Sequence, residues 1–535
     1  MSISIALDQI KDVVKGADTK TTALAVTAAT AGWWAVQRLY EAATGPLTAI
    51  PGKFYGRLID IPYAALDIPY GHRFLNMRAL HDKYGPVVRI SRTVLSVADK
   101  DMLKQVLVTD DLRKGTVYDN TAFGKANMFN MTDRAAHRHT RRVISPAFSI
   151  RYLAGLEPLL ESVIDDMVAK VEGDISAAEA SGNPEAVIDL WHLTQAVALD
   201  AMGECAFGET FGMIKNGSHP LPKRLTEGVR RGSIFFTNGF LGKLVKMSGI
   251  KMADPYIVNF MKDVIHKRMN AAAPRKDILQ ILIDAAKNEK SSEQLSENSI
   301  MGETMLFLFA GAETTSNSAA FALIALLQER EKFEKLREEV DTLEYNDDNK
   351  NFSYESLKNA AYLNAVINET LRLRPVTAAG LERIAEQDFV LGQSYHIPKG
   401  VRKIDKLFIR HANMNFFSHT LIFHQTTILA NMYVAHMDPE YFDEPELFKP
   451  ERWLEGYEPA PAVDAFYPFS AGSRNCIGKN FALQEMRLVI ATLIKKFDFD
   501  TIPESLKDAE DIRHFITLTI WKDSFKAKVS RRKDL

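Results

Sequence analysis

The sequence predicts a mainly α-helical domain with small β-sheets, and three stretches carry that expectation. Leu153 to Ile283 repeats its apolar residues mostly at helical spacing, with breaks at Ala206–Gly212 and near Asn216–Pro222. Ser296 to about Glu329 reads as one helix, roughly 50 Å long at 1.5 Å per residue. It is apolar on most sides from Met305 to Phe309, which implies burial. Tyr84-Gly85-Pro86 opens a short β pattern, Val87–Ile90 and then Val94–Val97, which reads as a hairpin.

The 535 residues are 46% hydrophobic and 25% charged, ordinary for a globular protein. Length alone suggests several domains, but no break in composition divides the chain. The net charge of −2 points to no polyanion partner, so nucleic acid is not expected. Cys205 and Cys476 are the only cysteines. If one is a ligand, no intramolecular disulfide is available, which suits a reducing compartment.

The N-terminus bears on location. Seventeen uncharged residues, Thr21 to Gln37, lie between Lys20 and Arg38 and include Trp33 and Trp34. Seventeen is the short limit for a spanning helix, and the Ala, Thr and Gly content makes the run weakly apolar. Paired tryptophans suit a membrane interface. The reading is a membrane anchor and hinge over 1–45 and a catalytic domain over 46–535. A surface amphipathic helix and a buried segment compete with the anchor. A cleavable signal peptide is disfavoured, because Asp8, Asp12 and Asp18 precede a late apolar run. The terminal Arg532-Lys533-Asp534-Leu535 lacks the Glu of an ER-retention signal and carries no weight.

The chemistry centres on Phe469-Ser470-Ala471-Gly472-Ser473-Arg474-Asn475-Cys476-Ile477-Gly478. Cys476 stands just before an amphipathic run, Phe481 to Phe497, where backbone N–H groups at a helix start favour an ionised sulfur. Gly472 and Gly478 leave room for backbone to pass close to a flat cofactor. Phe469 offers an apolar wall that keeps water from the sulfur, and Arg474 a permanent cation for an anionic group. An ordinary buried thiol in a turn is the competing reading.

Phe-x-x-Gly-x-Arg-x-Cys-x-Gly resembles the ligand loop of the cytochrome P-450 (haem-thiolate monooxygenase) family. That resemblance implies a cytochrome P-450 fold, with haem b between the long central helix and the cysteine loop. Cys476 would be the iron's axial thiolate ligand, and Arg474 would reach a propionate. It also gives the N-terminus an anchor followed by a proline-containing hinge, Gly45-Pro46 to Pro51-Gly52.

Further motifs follow in family order. His137-Arg138-His139-Thr140-Arg141-Arg142 before Ser145-Pro146-Ala147-Phe148 resembles a Trp-x-x-x-Arg helix, with His137 where the family has Trp and Arg141 where it has Arg. Spaced four apart, both reach one helix face, and the resemblance sets that face against the propionates. A solvated basic patch competes for Arg138 and Arg142. Ala310-Gly311-Ala312-Glu313-Thr314-Thr315 places a carboxylate and a hydroxyl inside a buried helix, which is costly without a purpose. Gly311 and the hydroxyl can open the local ladder into a groove. By resemblance Thr314 hydrogen-bonds the bound dioxygen and Glu313 feeds protons through water. A small-residue helix crossing is the competing reading.

Glu369-Thr370-Leu371-Arg372 with Phe448-Lys449-Pro450-Glu451-Arg452-Trp453 resembles the family's buried Glu-Arg-Arg network, a structural rather than catalytic device. Val376 to Leu381 and Ile516 to Leu518 would be apolar walls of the haem cavity. Lys114 to Met131 would be a loop over the substrate. Ile234-Phe235-Phe236 and Phe240-Leu241 would help to roof the cavity, although an aromatic stripe is more often core. Cys205 has no ligand-like neighbours and reads as packing.

Val401 to Gln425 interrupts the pattern. Tyr395-His396-Ile397-Pro398-Lys399-Gly400 would otherwise continue directly into Thr426. These 25 residues are read as a retained intron in the gene model: Val codons begin GT, Gln can be CAG, and whole codons keep the frame. A genuine surface-loop insertion is the alternative. His411, His419 and His424 suit no compact metal site.

The expectation is a monooxygenase that inserts one oxygen atom of O2 into an apolar small molecule of steroid, fatty-acid or xenobiotic class. Electrons would come from a separate NADPH–cytochrome P-450 reductase, with cytochrome b5 as an optional second donor. Docking would use basic residues near the cysteine face, Arg138, Arg142 and Lys479 among them. The closest pattern is that of fungal microsomal members, which implies the endoplasmic reticulum membrane with the catalytic domain facing the cytosol. Two alternatives stay open: a haem-deficient, non-catalytic member spoiled by the insertion, and a reductase-independent isomerase or dehydratase of the same fold.

Overall fold

The computed structural model describes residues 19–58, 70–115, 117–118, 126–217, 219–237, 247–248, 254–270, 275–287, 295–346, 351–399 and 425–533. The labels used below follow chain order. Helix α1 is Thr19–Thr44, α2 Arg73–Tyr84, α3 Arg134–Ile144, α4 Glu157–Ala180, α5 Leu190–Met202 and α6 Leu221–Thr237. They are followed by α7 Glu297–Gln328, α8 Ala361–Leu373 and α9 Lys479–Lys496.

The 32 residues of α7 form the axis of the helical body. Ser296 caps it by accepting from Ser299 N at 3.1 Å. Leu308, Ala320, Ala322, Leu323 and Leu326 are buried. A helix that is apolar all round needs helical neighbours on every side. Its most extensive neighbour is α5, itself almost wholly buried. The two approach closely at Gly311, where an added Cβ would stand 2.4 Å from Met202 Sδ. Cys205, just past α5, is buried in the same core, as expected of packing.

The hairpin is present as β1 (Val87–Arg89) and β2 (Val94–Val97), paired antiparallel with Val87 opposite Val97. It belongs to a mixed five-stranded sheet in which β3 is Arg113–Lys114, β4 Leu381–Ile384 and β5 Thr427–Ala430. Strand β5 lies parallel to β2 and antiparallel to β4, with Ile428 against Leu95 and Arg383. Such long-range pairing leaves no local turn signal, so a sequence pattern sees only the hairpin. Near the C-terminus β6 (Ile512–His514) and β7 (Leu518–Ile520) form a second hairpin.

The expected hinge is packed rather than free. Leu47 and Ile50 are buried against the sheet core, Arg89 N donates to Pro51 O at 2.7 Å, and a Cβ on Gly52 would stand 2.1 Å from Arg89 O. Glu41 near the end of α1 pairs with Arg38 at 3.0 Å and Arg92 at 3.5 Å. Among the described residues, no helix is long and apolar enough to cross a membrane. The insertion 401–425 lies outside the described residues apart from Gln425. Its flanks meet, however, because Thr426 N donates to Lys399 O at 3.4 Å.

Glu369 on α8 is fully buried. Its carboxylate accepts from Arg372 Nε and Nη2 at 2.9 and 2.7 Å, Arg452 Nε at 3.0 Å, Trp453 Nε1 at 2.9 Å and Lys449 N at 3.0 Å. Replacing Glu369 with Gln would leave two buried guanidinium groups without their counter-charge, and the expected loss is about 3–5 kcal/mol of unfolding free energy. Denaturant titration of the folded protein measures it, and a loss under about 1 kcal/mol would show that the network is dispensable.

Candidate functional site

The cysteine loop is built by short-range bonds. Residues Gly472–Arg474 form one 3₁₀ turn, and Cys476 N then donates to Phe469 O at 2.9 Å. Helix α9 starts at Lys479, so the backbone N–H groups of Gly478 and Lys479 point at the sulfur. Burial raises the thiol's affinity for its proton, while those N–H groups and the charges of Arg141 and Lys479 favour the thiolate. No residue from Phe469 to Gly478 is fully buried, and the Cys476 side chain is exposed rather than packed, so its desolvation comes from protein around the sulfur and not from side chains covering it. Phe469 is packed against the main core and has Lys479 Nζ 5.7 Å from its ring centroid.

The two glycines serve different ends. A Cβ on Gly478 would sit 4.0 Å from Cys476 Sγ, so the expected clearance beside the sulfur is present. Gly472 has a φ of +69°, and a Cβ there would lie 1.9 Å from Leu107 O, so a neighbouring turn of chain already requires glycine at this position.

Helix α3 delivers His137 and Arg141. Asp133 caps it, accepting from Ala136 N at 2.7 Å. Arg141 grips the cysteine loop, donating to Asn475 O at 2.8 Å and Asn475 Oδ1 at 2.5 Å. Arg474 donates to Met131 O at 2.7 Å. Burial, then the charges of Arg474, Lys114 and Arg141, bring His137 down to about 3. It is a neutral imidazole, able to donate one hydrogen bond but bringing no charge.

Two members of this cluster escaped the sequence reading. Lys114 on β3 and Arg383 on β4 sit opposite one another in register. Burial and then Arg383, Arg474 and Arg141 hold Lys114 well below its usual range. Its ammonium donates to Phe129 O at 2.5 Å and lies 4.5 Å from the Tyr118 ring centroid. Burial and Arg383 bring Arg474 down to about 10, with Asp111 offsetting part of this. The strand Leu381–Ile384 carries Glu382 beside Arg383, so no contrast with apolar neighbours singled out Arg383 in the sequence. A cleft of about 340 Å³ opens here, lined by His137, Arg138, Arg141, Arg142 and Arg474 among others.

On α7, Thr314 Oγ1 donates back to Ala310 O at 2.5 Å, so the hydroxyl competes for the helix's own carbonyl as expected. Ala310 is exposed and Thr314 half-buried, although the helix around them is buried. Gly311 faces Met202 instead, so the crossing reading holds for that one residue. Glu313 is buried, and burial followed by Asp523 lifts it to about 8. It therefore holds a proton at neutral pH. The expected walls meet at Leu518, whose N donates to Val376 O and whose O accepts from Asn317 Nδ2, both at 3.0 Å. Val376, Thr377 and Ile516 are half-buried there.

The Asn127–Met131 turn ends the expected substrate loop. It is tied by Lys114 to Phe129 O, by Arg474 to Met131 O, and by Met128 N donating to Glu303 Oε1 at 2.7 Å. The roof call lies outside the described residues, since Phe240-Leu241 and the side chains of Ile234-Phe235-Phe236 are not described. An open thiol facing backbone donors, with a buried cluster of cations beside it, fits an iron porphyrin bearing two carboxylates. Cys476 would bind the metal, and Arg141, Arg474, Lys114 and Arg383, with His137 as a neutral donor, would take the carboxylates.

Glu313 makes stability depend on pH. The folded chain keeps its proton up to about pH 8, whereas the unfolded chain releases it near the ordinary 4.5. Between those values the folded state binds more protons, so stability falls as pH rises, by at most about 1.4 kcal/mol per unit. Glu313→Gln should match the parent protein's thermal midpoint at pH 5 and exceed it at pH 8. Equal midpoints at both pH values would mean that the carboxyl is not raised.

The family model described as Cytochrome P450 matches residues 59–425 and 415–527, two segments that overlap within the insertion. The Cytochrome P450 monooxygenase FUS8 of Gibberella moniliformis is 33% identical over 500 residues, 91% of this chain and 89% of its own. The Cytochrome P450 monooxygenase acrD of Aspergillus aculeatus is 33% identical over 477 residues, 87% of each chain. The Tryprostatin B 6-hydroxylase of Aspergillus fumigatus is 27% identical over 469 residues, 87% of this chain and 78% of its own. A family model matched along most of the sequence, and relatives one-third identical over nine-tenths of it, establish that this chain belongs to the cytochrome P450 family of monooxygenases.

Proposed function

We propose that the chain inserts one oxygen atom of O2 into an apolar small molecule of steroid, fatty-acid or xenobiotic class, drawing electrons from a separate NADPH–cytochrome P-450 reductase. The observation that carries this reading is the Cys476 thiol, faced by the Gly478 and Lys479 N–H groups beside a buried cation cluster. When bound, haem supplies oxygen activation and transfer. The chain's own residues do the rest. Burial raises the Cys476 thiol overall, and the Gly478 and Lys479 N–H groups would hydrogen-bond the thiolate once a metal takes it. Arg141, gripping Asn475, keeps the loop in register with α3. Glu313 stores a proton inside the core, and Thr314 presents a hydroxyl that must leave Ala310 O to donate elsewhere. Val376 and Ile516, both half-buried, would supply apolar wall that limits water. The intact Glu313–Thr314 pair argues against an isomerase or dehydratase.

Arg138, Arg142 and Lys479 are all exposed, which supports the cysteine face as the docking surface for the reductase. The retained-intron reading of 401–425 gains support from the bond between Lys399 and Thr426, since joining Gly400 to Thr426 asks little of the flanking strands. A reduced carbon-monoxide difference spectrum, with and without residues 401–425, tests both readings. A thiolate-type Soret band in both chains makes the insertion a tolerated loop, and a band only in the shortened chain supports the intron. No band in either, with haem supplied and the protein soluble, would refute haem-thiolate function.

The membrane proposal rests on α1, where Trp33 and Trp34 are 53% and 52% exposed and Leu24, Leu39 and Tyr40 also face outward. We place the protein at the endoplasmic reticulum membrane, with the catalytic domain in the cytosol. Full-length protein should float with microsomal vesicles, and a chain beginning at residue 46 should do so far less. Carbonate extraction then separates an interfacial helix, which is released, from a spanning one. Equal flotation of both chains would refute anchoring by α1.

A further inference from the structure

The turn Asn127–Met131 closes on itself. Asn127 is buried, its Oδ1 accepts from Phe129 N at 3.1 Å and Asn130 N at 3.0 Å, and its O accepts from Met131 N at 2.9 Å. Asn130 Oδ1 in turn accepts from Asn127 N at 2.8 Å. A turn tied in this way draws its shape from its own side chains. Its place in the molecule depends on bonds to other elements. Two of its carbonyls serve the cation cluster: Phe129 O takes Lys114 Nζ and Met131 O takes Arg474 Nη1. One residue before Phe129, Met128 N donates to Glu303 Oε1 at 2.7 Å.

Glu303 is fully buried on α7, about two turns before Ala310. Burial raises its carboxyl to about 8, with Met128 N offsetting part of this, so it holds a proton at neutral pH. Its Oε2 is also buried and has no hydrogen-bond partner among the described residues. A carboxyl in so apolar a stretch is a costly acceptor for one amide unless the place of that amide matters. One turn further along α7, Phe307 meets Phe148 edge-on, with ring centroids 5.6 Å apart, and Phe148 closes the turn that follows α3. Thr140 of α3 donates to Met131 Sδ at 3.5 Å. The 127–131 turn therefore touches both α7 and the helix that carries His137 and Arg141.

We propose that Glu303 is a positioning residue: by fixing Met128 N it sets the place of the turn whose carbonyls hold Lys114 and Arg474 ready for the carboxylates of the haem. The proposal rests on the monooxygenase reading above. Every link is a hydrogen bond of 2.5–2.7 Å, from Glu303 to Met128 and from the Phe129 and Met131 carbonyls to the two cations. An ammonium has three N–H donors and a guanidinium five, so each cation keeps donors for an anionic oxygen after serving the turn. Holding two long side chains in place beforehand removes their ordering cost from binding. Glu303 acts on the cations only through the turn.

The test compares Glu303→Leu, which removes the acceptor, with Glu303→Gln, which keeps an oxygen for Met128 N and matches the uncharged carboxyl. Both are made in the full, haem-loaded chain. Leucine leaves a buried N–H without a partner and should speed amide exchange over 127–131, and haem transfer to excess apomyoglobin, each at least about tenfold. Glutamine keeps the bond and should leave both rates within about twofold of the parent. In a Lys114→Met background the leucine substitution should speed haem loss by a smaller factor, because part of the same chain of contacts is already gone. Thr304→Val, at a fully buried neighbour whose hydroxyl bonds Ile300 O within α7, should change neither rate. If leucine prevents folding, Glu303→Asp, which draws the acceptor back by one methylene, takes its place. Faster exchange with unchanged haem loss overturns the proposal, because the turn would then not place the cations. So does a glutamine or valine chain as fast as the leucine chain, or effects of E303L and K114M that simply multiply. A parent with the carbon-monoxide Soret band and an E303L chain that matches it in both rates overturn this role alone. A parent without that band overturns the monooxygenase reading, and this role with it.

Discussion

A single buried carboxylate holds the cysteine side of the molecule together. A carboxylate buried as Glu369 is needs partners, and it takes five donors from two stretches of chain, α8 itself and residues 449–453. The two arginines that satisfy it are themselves spread over carbonyls: Arg372 over His436, Pro445 and Leu447, Arg452 over Asp443 and Glu444. Segment 436–453 is thus wound around one charge. The order continues outward, because His436 Nε2 accepts from Tyr467 N at 3.1 Å, two residues before Phe469. Phe469 O in turn takes Cys476 N. The sulfur's position is inherited, bond by bond, from an ion pair far from the chemistry.

The opposite use of charge marks the site itself. Lys114, Arg141, Arg383 and Arg474 are brought together so that burial and mutual repulsion weaken the hold on a proton at Lys114 and Arg474. Glu313 is likewise pushed up, by burial and then by the charge of Asp523. Around Glu369 the charges cancel and rigidify. In the cluster the cations outnumber the anions beside them, which suits an anionic ligand, and on α7 the Glu313 carboxyl keeps a proton that it could give up. That division separates the framework of this chain from its working parts.

Local signals decided much of this. The Gly-x-Arg-x-Cys-x-Gly loop, the length of α7 and the β1–β2 hairpin depend on residues near one another in sequence, where spacing and periodicity act directly. The Glu369–Arg372 spacing was equally visible, but the sequence could not say whether the pair was exposed and weak or buried and essential. Burial depends on what packs against α8 from 80 residues away.

The same limit explains the misread positions. A glycine shows only that a side chain is intolerable; Leu107 and Met202, both remote in sequence, determine what would be struck at Gly472 and Gly311. Lys114 and Arg383 look like unrelated charges until β3 pairs with β4, and β5 until it slides between β2 and β4. The protonation state of His137 cannot be read from its spacing, because burial and then Arg474, Lys114 and Arg141, all brought in by the fold, decide it. By itself the sequence determined the cysteine loop and the helical class, because each is written in short-range spacing, and by resemblance it pointed to Cys476 as the candidate ligand. Only the tertiary structure decided which charges are paired, which groups face the thiol and which way Glu313 points. Dielectric and proximity are properties of neighbours that the chain brings together only by folding.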